Sequence, residues 1–339
     1  MAEQIVALRS SGRLAAVDVA SIPRVIRDAG PIASEKYIEF FTATIRNPNT
    51  RRAYAIAVNR MLGWCEQHGI ELAALRPTIV ATYIEELMST ASPPTVKQHL
   101  AALRVFCDYL VVGQVLPTNP CHAVLGPKHV VKKGKTPVLT PQQARELLDS
   151  IEVATVHPLT GAVTPNLVGL RDRVLIAMMI FSFARVGAAL GMNVEDYWIN
   201  GKRAWFRLRE KGGKHHEIPA HHKAEEYMDA YLKLAGIARD LKSPLFRSAP
   251  GHAGVLTSER LTARDALAMV KRRAAAIGLP RGICNHTFRG TGITAYLLSP
   301  GSTLEKAQAI AAHESPRTTA IYDRRADGVS LDEIERIMI

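Results

Sequence analysis

Cysteine is scarce in this chain and scattered. Cys65, Cys107, Cys121 and Cys284 are the four among 339 residues, far apart in sequence and with no CxxC pair. That spacing excludes a disulfide framework and a cysteine-built zinc site, and it suits reduced thiols in a cytosolic protein. Long apolar runs are missing too. The most apolar stretch, Val174 to Phe181, is far too short to cross a bilayer and reads as a buried helix. Met1 to Gly30 carries Arg9, Arg13 and Asp18 and no continuous apolar core, which argues against a signal peptide. Acidic residues are in short supply: 31 Asp and Glu stand against 43 Lys and Arg, a formal charge of +12. Such a surplus points to a polyanion, because each phosphate neutralised by Lys or Arg releases condensed counterions. Membrane surfaces are the other class it serves.

What is present is enough for two domains and a sizeable core, with 47% hydrophobic residues. Residues 1–31 show no clean periodicity and end at the breaker Gly30-Pro31, so they are expected to be extended or loosely docked. Helical spacing begins at Ser34, with Tyr37, Phe40, Phe41 and Ile45 on one face. A second helix follows Asn49-Thr50 through Tyr54, Val58, Met61, Leu62 and Cys65 to a stop at Gly69. Thr78 and Thr95 open two more, the last ending at Gly113. Together 32–126 reads as a small helical bundle. Its polar faces carry Arg51, Arg52, Lys97 and Arg104, which are either solvated or track a DNA backbone. Residues 127–138 form a basic linker with Lys132, Lys133 and Lys135.

The second domain, 139–329, opens on a capping box, Thr140-Pro141-Gln142-Gln143. Residues 153–168 read as a loop, and a buried helix from about Arg171 to Ala184 then delivers Arg185. Period-two signals at Tyr197–Ile199, Ala204–Leu208 and Glu217–Pro219 predict three antiparallel strands. Asn200-Gly201 reads as a type I′ turn, and Lys211 to Lys214 forms the second turn. Helices resume to the end, where 330–339 has an apolar face. The fold class is therefore mainly α with a small antiparallel sheet.

The chemistry-bearing residues lie in order. Tyr322 could attack a phosphodiester, since a phenolate is a tolerable leaving group for the reverse step. Arg185 and Arg289 could hold non-bridging oxygens with permanently charged guanidinium forks. His286 stands three residues before Arg289, on the same helix face. His313 precedes Tyr322 by nine residues and could donate to phosphate or manage the tyrosine proton. Lys211 could protonate a departing oxygen. Taken singly, each has an ordinary structural reading: a helix-terminal arginine, a surface pair, a loop histidine, a turn lysine, a half-buried tyrosine. His215, His216, His221 and His222 have no nearby Cys and only Glu217 between the pairs, so no metal and no cofactor is expected.

As an ordered set these residues are more specific. Arg185, Lys211, His286-x-x-Arg289, His313 and Tyr322 resemble the tyrosine recombinase (phage-integrase) family. NTRRAYAIAVNRMLGWC (49–65) is similar to the start of that family's helical core-binding domain. KGGKHHEIP (211–219) is similar to its lysine-bearing hairpin, and SPLF (243–246) to a later strand. The resemblance implies a core-binding and a catalytic domain forming a C-shaped clamp on double-stranded DNA. By the same resemblance Tyr322 forms a 3′-phosphotyrosyl bond, Arg185, Arg289 and His313 hold the phosphate, Lys211 is the general acid, and His286 assists proton transfer. Lys214 joins the basic residues of the bundle and linker as a DNA contact. A dimer per recombination site, a tetramer in the synapse and docking of 330–339 on a neighbouring protomer are further implications. So is a cytoplasmic, nucleoid-associated setting in a prokaryote or phage, with no membrane partner. The alternatives are a relaxing enzyme of the type IB topoisomerase class and a non-catalytic DNA-binding or architectural protein.

Three positions depart from the family pattern. Ala188 stands three residues after Arg185, where an acid that orders the site is common, and neither Glu195 nor Asp196 can be assumed to substitute. Gly290 stands where His is common, and Ala312 where Gly is common.

Overall fold

The computed structural model describes residues 5–8, 14–17, 22–129, 134, 136–210, 213–251 and 254–324. The chain divides into two compact units, Met1–Val130 and Val131–Ile339.

In the first unit, strands β1 (Ile5–Leu8) and β2 (Leu14–Val17) pair antiparallel. Then come α1 (Arg24–Asp28), α2 (Pro31–Glu39), a π-turn over Phe40–Thr44, α3 (Pro48–Gln67), α4 (Pro77–Thr90) and α5 (Pro93–Val112). Helices α2 to α5 each start on a proline, whose fixed φ suits the first turn and whose missing N–H is no loss there. Asn47 caps α3 by accepting from the Asn49 and Thr50 amides at 2.9 and 3.3 Å. The predicted helical faces meet in one core: Tyr37, Phe40, Val58, Met61, Ile84, Leu103 and Phe106 are all buried. Ile22, Val25 and Ile26 belong to that core as well. Thus the part of 1–31 from Ile22 onward is packed rather than loosely docked, and Glu66 of α3 caps α1 through the Arg24 amide at 2.5 Å.

The unit also holds two further sets of contacts. Cys107 and Cys121 are far apart in sequence but their sulfurs lie 3.6 Å apart in the core, both as free thiols. Two of the arginines expected on DNA are tied to the bundle itself. Arg51 donates to the Ile45 carbonyl from Nε and Nη2 (3.0 and 2.8 Å), and Arg104 donates to the carbonyls of Cys121 and Val124 (3.2 and 2.6 Å). Carbonyls left over where a helix ends or a loop turns need donors, and an arginine fork supplies two at once. Arg52 and Lys97 are exposed. Lys132, Lys133 and Lys135 lie outside the described residues, as do Lys211 and 330–339.

The second unit is built around α7 (Leu167–Phe181), whose residues from Val174 to Met179 are completely buried. Helices α9 (His222–Ala235) and α11 (Asn285–Leu298) pack against it. The approach of α11 depends on Gly292, where an added Cβ would lie 1.9 Å from the Ile180 carbonyl oxygen. Helix α6 (Pro141–Asp149) begins with the predicted capping box, both hydrogen bonds present at 3.0 and 3.1 Å. The stretch read as a loop instead contains a hairpin, β3 (Ala154–Val156) with β4 (Val163–Pro165), whose residues are exposed on both strands. Lacking a buried face, it had no alternation to betray it.

The sheet has the order β5 (Tyr197–Asn200), β6 (Arg203–Arg209), β7 (His215–Pro219), all antiparallel. Asn200 pairs with Arg203, so the two-residue loop is Gly201-Lys202. Gly201 has φ 62° but Lys202 does not take a positive φ, so the turn is not type I′ centred on Asn200-Gly201. Helices α8 (Val186–Leu190), α10 (Ala263–Ala276), α12 (Leu304–Ala311) and α13 (Pro316–Ala320) are the unit's other helices among the described residues. No helix among the described residues is long and apolar enough to cross a membrane.

Candidate active site

Three short connections converge on α11. The first joins α7 to α8. Phe183 there adopts φ 53°, a left-handed conformation that costs a non-glycine residue roughly 1–2 kcal/mol. This turn leaves Arg185 at the N-terminal boundary of α8 rather than at the end of α7. The second joins α12 to α13 and carries His313. The third is the segment just past α13, so Tyr322 follows that five-residue helix instead of riding on it.

Helix α11 supplies His286 and Arg289 from adjacent turns, as their spacing required. Arg289 is the largest fully buried side chain among the described residues, 1% exposed. Its Nη1 donates to the Phe183 carbonyl and its Nη2 to the Ala311 carbonyl at 2.5 Å, so one guanidinium ties the first connection to the second. Its Nε–H is buried with no partner among the described residues. Burial, and then the charge of Arg185, push the Arg289 guanidinium down to about 10, which leaves it charged at neutral pH.

The Tyr322 hydroxyl lies 2.6 Å from Nε2 of His286. Burial, then the charges of Arg289 and Arg185, push the His286 imidazole below its ordinary range. A neutral imidazole with its proton on Nδ1 accepts from the tyrosine through Nε2, ready to take the proton if the oxygen attacks. Burial raises the Tyr322 phenol, while Arg289 and Arg185 oppose that rise by favouring the phenolate. The Tyr322 carbonyl accepts from Thr294 at 3.1 Å, which fixes the backbone beneath the nucleophile candidate.

His313 is also buried, and its ring lies nearly parallel to Tyr322 (11°, centroids 6.2 Å apart). Its Nδ1 pairs with the hydroxyl of Thr319 at 2.9 Å. Burial first, then Arg289, Arg185 and His286, lower it to about 4. Ala312, just before it, takes φ 47° as the C-cap of α12, the conformation for which glycine is suited. Gly290 is accommodated for a local reason: a Cβ there would meet the Tyr322 ring at 3.2 Å and Val138 at 3.1 Å.

His286 and His313 therefore both lie against Tyr322, and the charges of Arg289 and Arg185 act on all three. Lys211 cannot be placed with them, being outside the described residues. Sequence reading missed three supporting groups: Thr294, Thr319 and Glu210, whose carboxylate pairs with Arg185. Only Glu210 left a signal, since it continues the inward alternation of Ala204, Phe206 and Leu208. The neighbouring histidines serve the fold. His216 pairs with the Ile310 carbonyl at 3.1 Å, and His221 caps α9 and stacks on Phe181. Among the described residues no group of three or more His, Cys, Asp or Glu could hold a metal ion.

Residues 137–328 match the phage integrase family model, and residues 35–113 match that of the phage integrase N-terminal SAM-like domain. The chain belongs to the phage integrase family. As a member it is a DNA strand transferase that performs site-specific recombination by a tyrosine-based mechanism. Similar relatives include the tyrosine recombinase XerC of Thermodesulfovibrio yellowstonii, 27% identical over 281 residues that cover 81% of this chain and 85% of the relative. The tyrosine recombinase XerD of Chlorobaculum tepidum is 26% identical over 278 residues, with coverages of 81% and 85%. Two solved integrase-family structures share the fold. The XerH recombinase bound to a palindromic difH substrate has a TM-score of 0.67 at 17% identity, covering 90% of this chain and 82% of that one. A lambda integrase dimer bound to a core site has a TM-score of 0.60 at 15% identity, with coverages of 85% and 95%.

Proposed function

We propose that Tyr322 is the nucleophile of this integrase and that double-stranded DNA bearing a specific recombination site is its substrate. The tyrosine oxygen attacks the scissile phosphorus as its proton passes to Nε2 of His286. The bond from phosphorus to the 5′ oxygen breaks, and Lys211 supplies the proton that makes the departing group a 5′-hydroxyl. A 3′-phosphotyrosyl bond remains, and the 5′-hydroxyl of a partner strand reverses the step. Arg185, Arg289 and His313 hold the non-bridging oxygens, where charge accumulates in the transition state. The observation that carries this reading is the 2.6 Å contact of Tyr322 with His286, made beside the buried Arg289.

Arg51, Arg52, Lys97, Arg104, Lys214 and the linker residues Lys132, Lys133 and Lys135 are the DNA contacts in this reading. Two protomers occupy each site and four form the synapse, with residues 330–339 reaching a neighbouring protomer. The enzyme works in the cytoplasm on nucleoid or phage DNA.

The test uses a pool of duplexes with randomised arms and a central nick, which lets the short 5′ fragment diffuse away and traps covalent complexes. Wild type retains a sequence-restricted set of duplexes after denaturation, and Tyr322→Phe retains none. Equal retention by the two proteins contradicts the assignment of Tyr322. Retention without sequence preference favours relaxation chemistry over recombination at a defined site.

A further inference from the structure

We infer that Glu210 is the positioning residue for Arg185, a carboxylate supplied from the sheet in place of the acid that Ala188 lacks. The inference rests on the reading of Arg185 as a phosphate-binding group and extends it.

The usual acid of the family would sit on the helix that follows Arg185, three residues on. Here that helix, α8, presents Ala188, 4% exposed and without a charge. The two acids nearest in sequence are occupied elsewhere. Glu195 pairs with Lys242 at 2.8 Å. Asp196 is 1% exposed, accepts from the Asn193 amide at 2.9 Å, and faces Arg207 and Arg209 at 4.0 and 3.7 Å. Glu210 does reach Arg185: its Oε2 accepts a charge-assisted hydrogen bond from Arg185 Nη1.

The surroundings of the pair suit positioning better than surface charge pairing. The Glu210 side chain is 5% exposed while that of Arg185 is 39% exposed, so the acid is anchored inside and the guanidinium points outward. Anchoring comes from β6, along which Ala204, Phe206 and Leu208 point inward ahead of Glu210. Its backbone closes the neck of the β6–β7 hairpin, donating to the Lys214 carbonyl at 2.8 Å and accepting from the Gly213 amide at 3.2 Å. One carboxylate therefore joins Arg185 to the base of the hairpin that carries Lys211 next in sequence. A single Nη1 contact leaves the other edge of a five-donor fork to meet a phosphate. The carboxylate also offsets the repulsion between Arg185 and the buried Arg289, since it favours the charged form of Arg289 while Arg185 disfavours it. An acid in this place keeps two like charges close together before any phosphate arrives.

The test is single-turnover adduct formation on a nicked duplex recovered from the randomised pool, with thermal melting and DNA affinity measured alongside. Glu210→Gln is expected to slow adduct formation about 10- to 100-fold, with DNA affinity changed less than threefold. Glu210→Asp retains the charge on a shorter arm; it falls between the two, and it carries the test if Glu210→Gln melts early. A structural role for Glu210 is separated by the Arg185→Ala background, followed over hours so that slow cleavage is scored. There Glu210→Gln should lose less than threefold more, because the group it positions is gone. A Glu210→Gln enzyme as fast as wild type, or the same fold-loss with and without Arg185, overturns the inference while leaving Tyr322→Phe as the separate check on the nucleophile. Absence of any adduct with wild type overturns the underlying reading and this inference with it.

Discussion

Nε2 of His286 and the hydroxyl of Tyr322 are joined by a 2.6 Å hydrogen bond, although they are 36 positions apart in sequence. In the proposed reaction this bond places a base on the oxygen that loses a proton to attack. Replacing His286 with Ala should slow covalent adduct formation about 100-fold, within the usual range for loss of a positioned general base. DNA affinity should stay near wild type, because affinity comes mainly from phosphate contacts spread over the protein. Single-turnover cleavage together with a mobility-shift titration separates the two quantities.

Acid should weaken both fold and activity through the two histidines. Burial and the arginines hold His313 near 4, against 6.5 for a free imidazole, and lower His286 as well. Between those values the unfolded chain binds more protons than the folded one, so stability falls as pH falls from about 6.5 toward 4. For His313 the loss is on the order of a few kcal/mol. Melting followed from pH 7.5 to pH 4.5 should drop over that window, and His313→Gln should flatten the drop. Cleavage should decline in the same window, because a protonated His286 can no longer accept from Tyr322.

Ala312 is an identifiable source of strain. It holds φ 47° immediately before His313. Glycine adopts that conformation without the Cβ penalty, although its freer unfolded state offsets part of the gain. Ala312→Gly should raise the melting temperature of the C-terminal unit by about 1–3 °C, from roughly 0.5–1 kcal/mol of relief. Calorimetry checks the shift. An unchanged or lower melting temperature would mean that the turn is held without strain.

What could be read in advance follows the range of the interactions. The capping box of α6, the proline starts of α2 to α5 and the His286–Arg289 face are local, and local rules sufficed for them. The order of Arg185, Arg289, His313 and Tyr322 was legible only as a set, since no single residue separates a catalytic group from a structural one. Contacts made across the fold were not legible. Nothing near Arg51 and Arg104 in sequence showed that carbonyls of turning segments would accept from them. Cys107 and Cys121 meet because Cys121, beyond α5, folds back onto that helix. Ala188 appeared to leave Arg185 unsupported because a motif lists only neighbours in sequence. The acid came from a strand end 25 residues away, and only its inward register on β6 hinted at it.

The most direct measurement is to identify the residue that carries DNA. A trapped adduct is digested with protease and nuclease, and the nucleotide-bearing peptide is sequenced by mass spectrometry. The account predicts one modified residue, Tyr322, linked through a 3′-phosphate. A nucleotide on any other side chain, or a link through a 5′-phosphate, would contradict it.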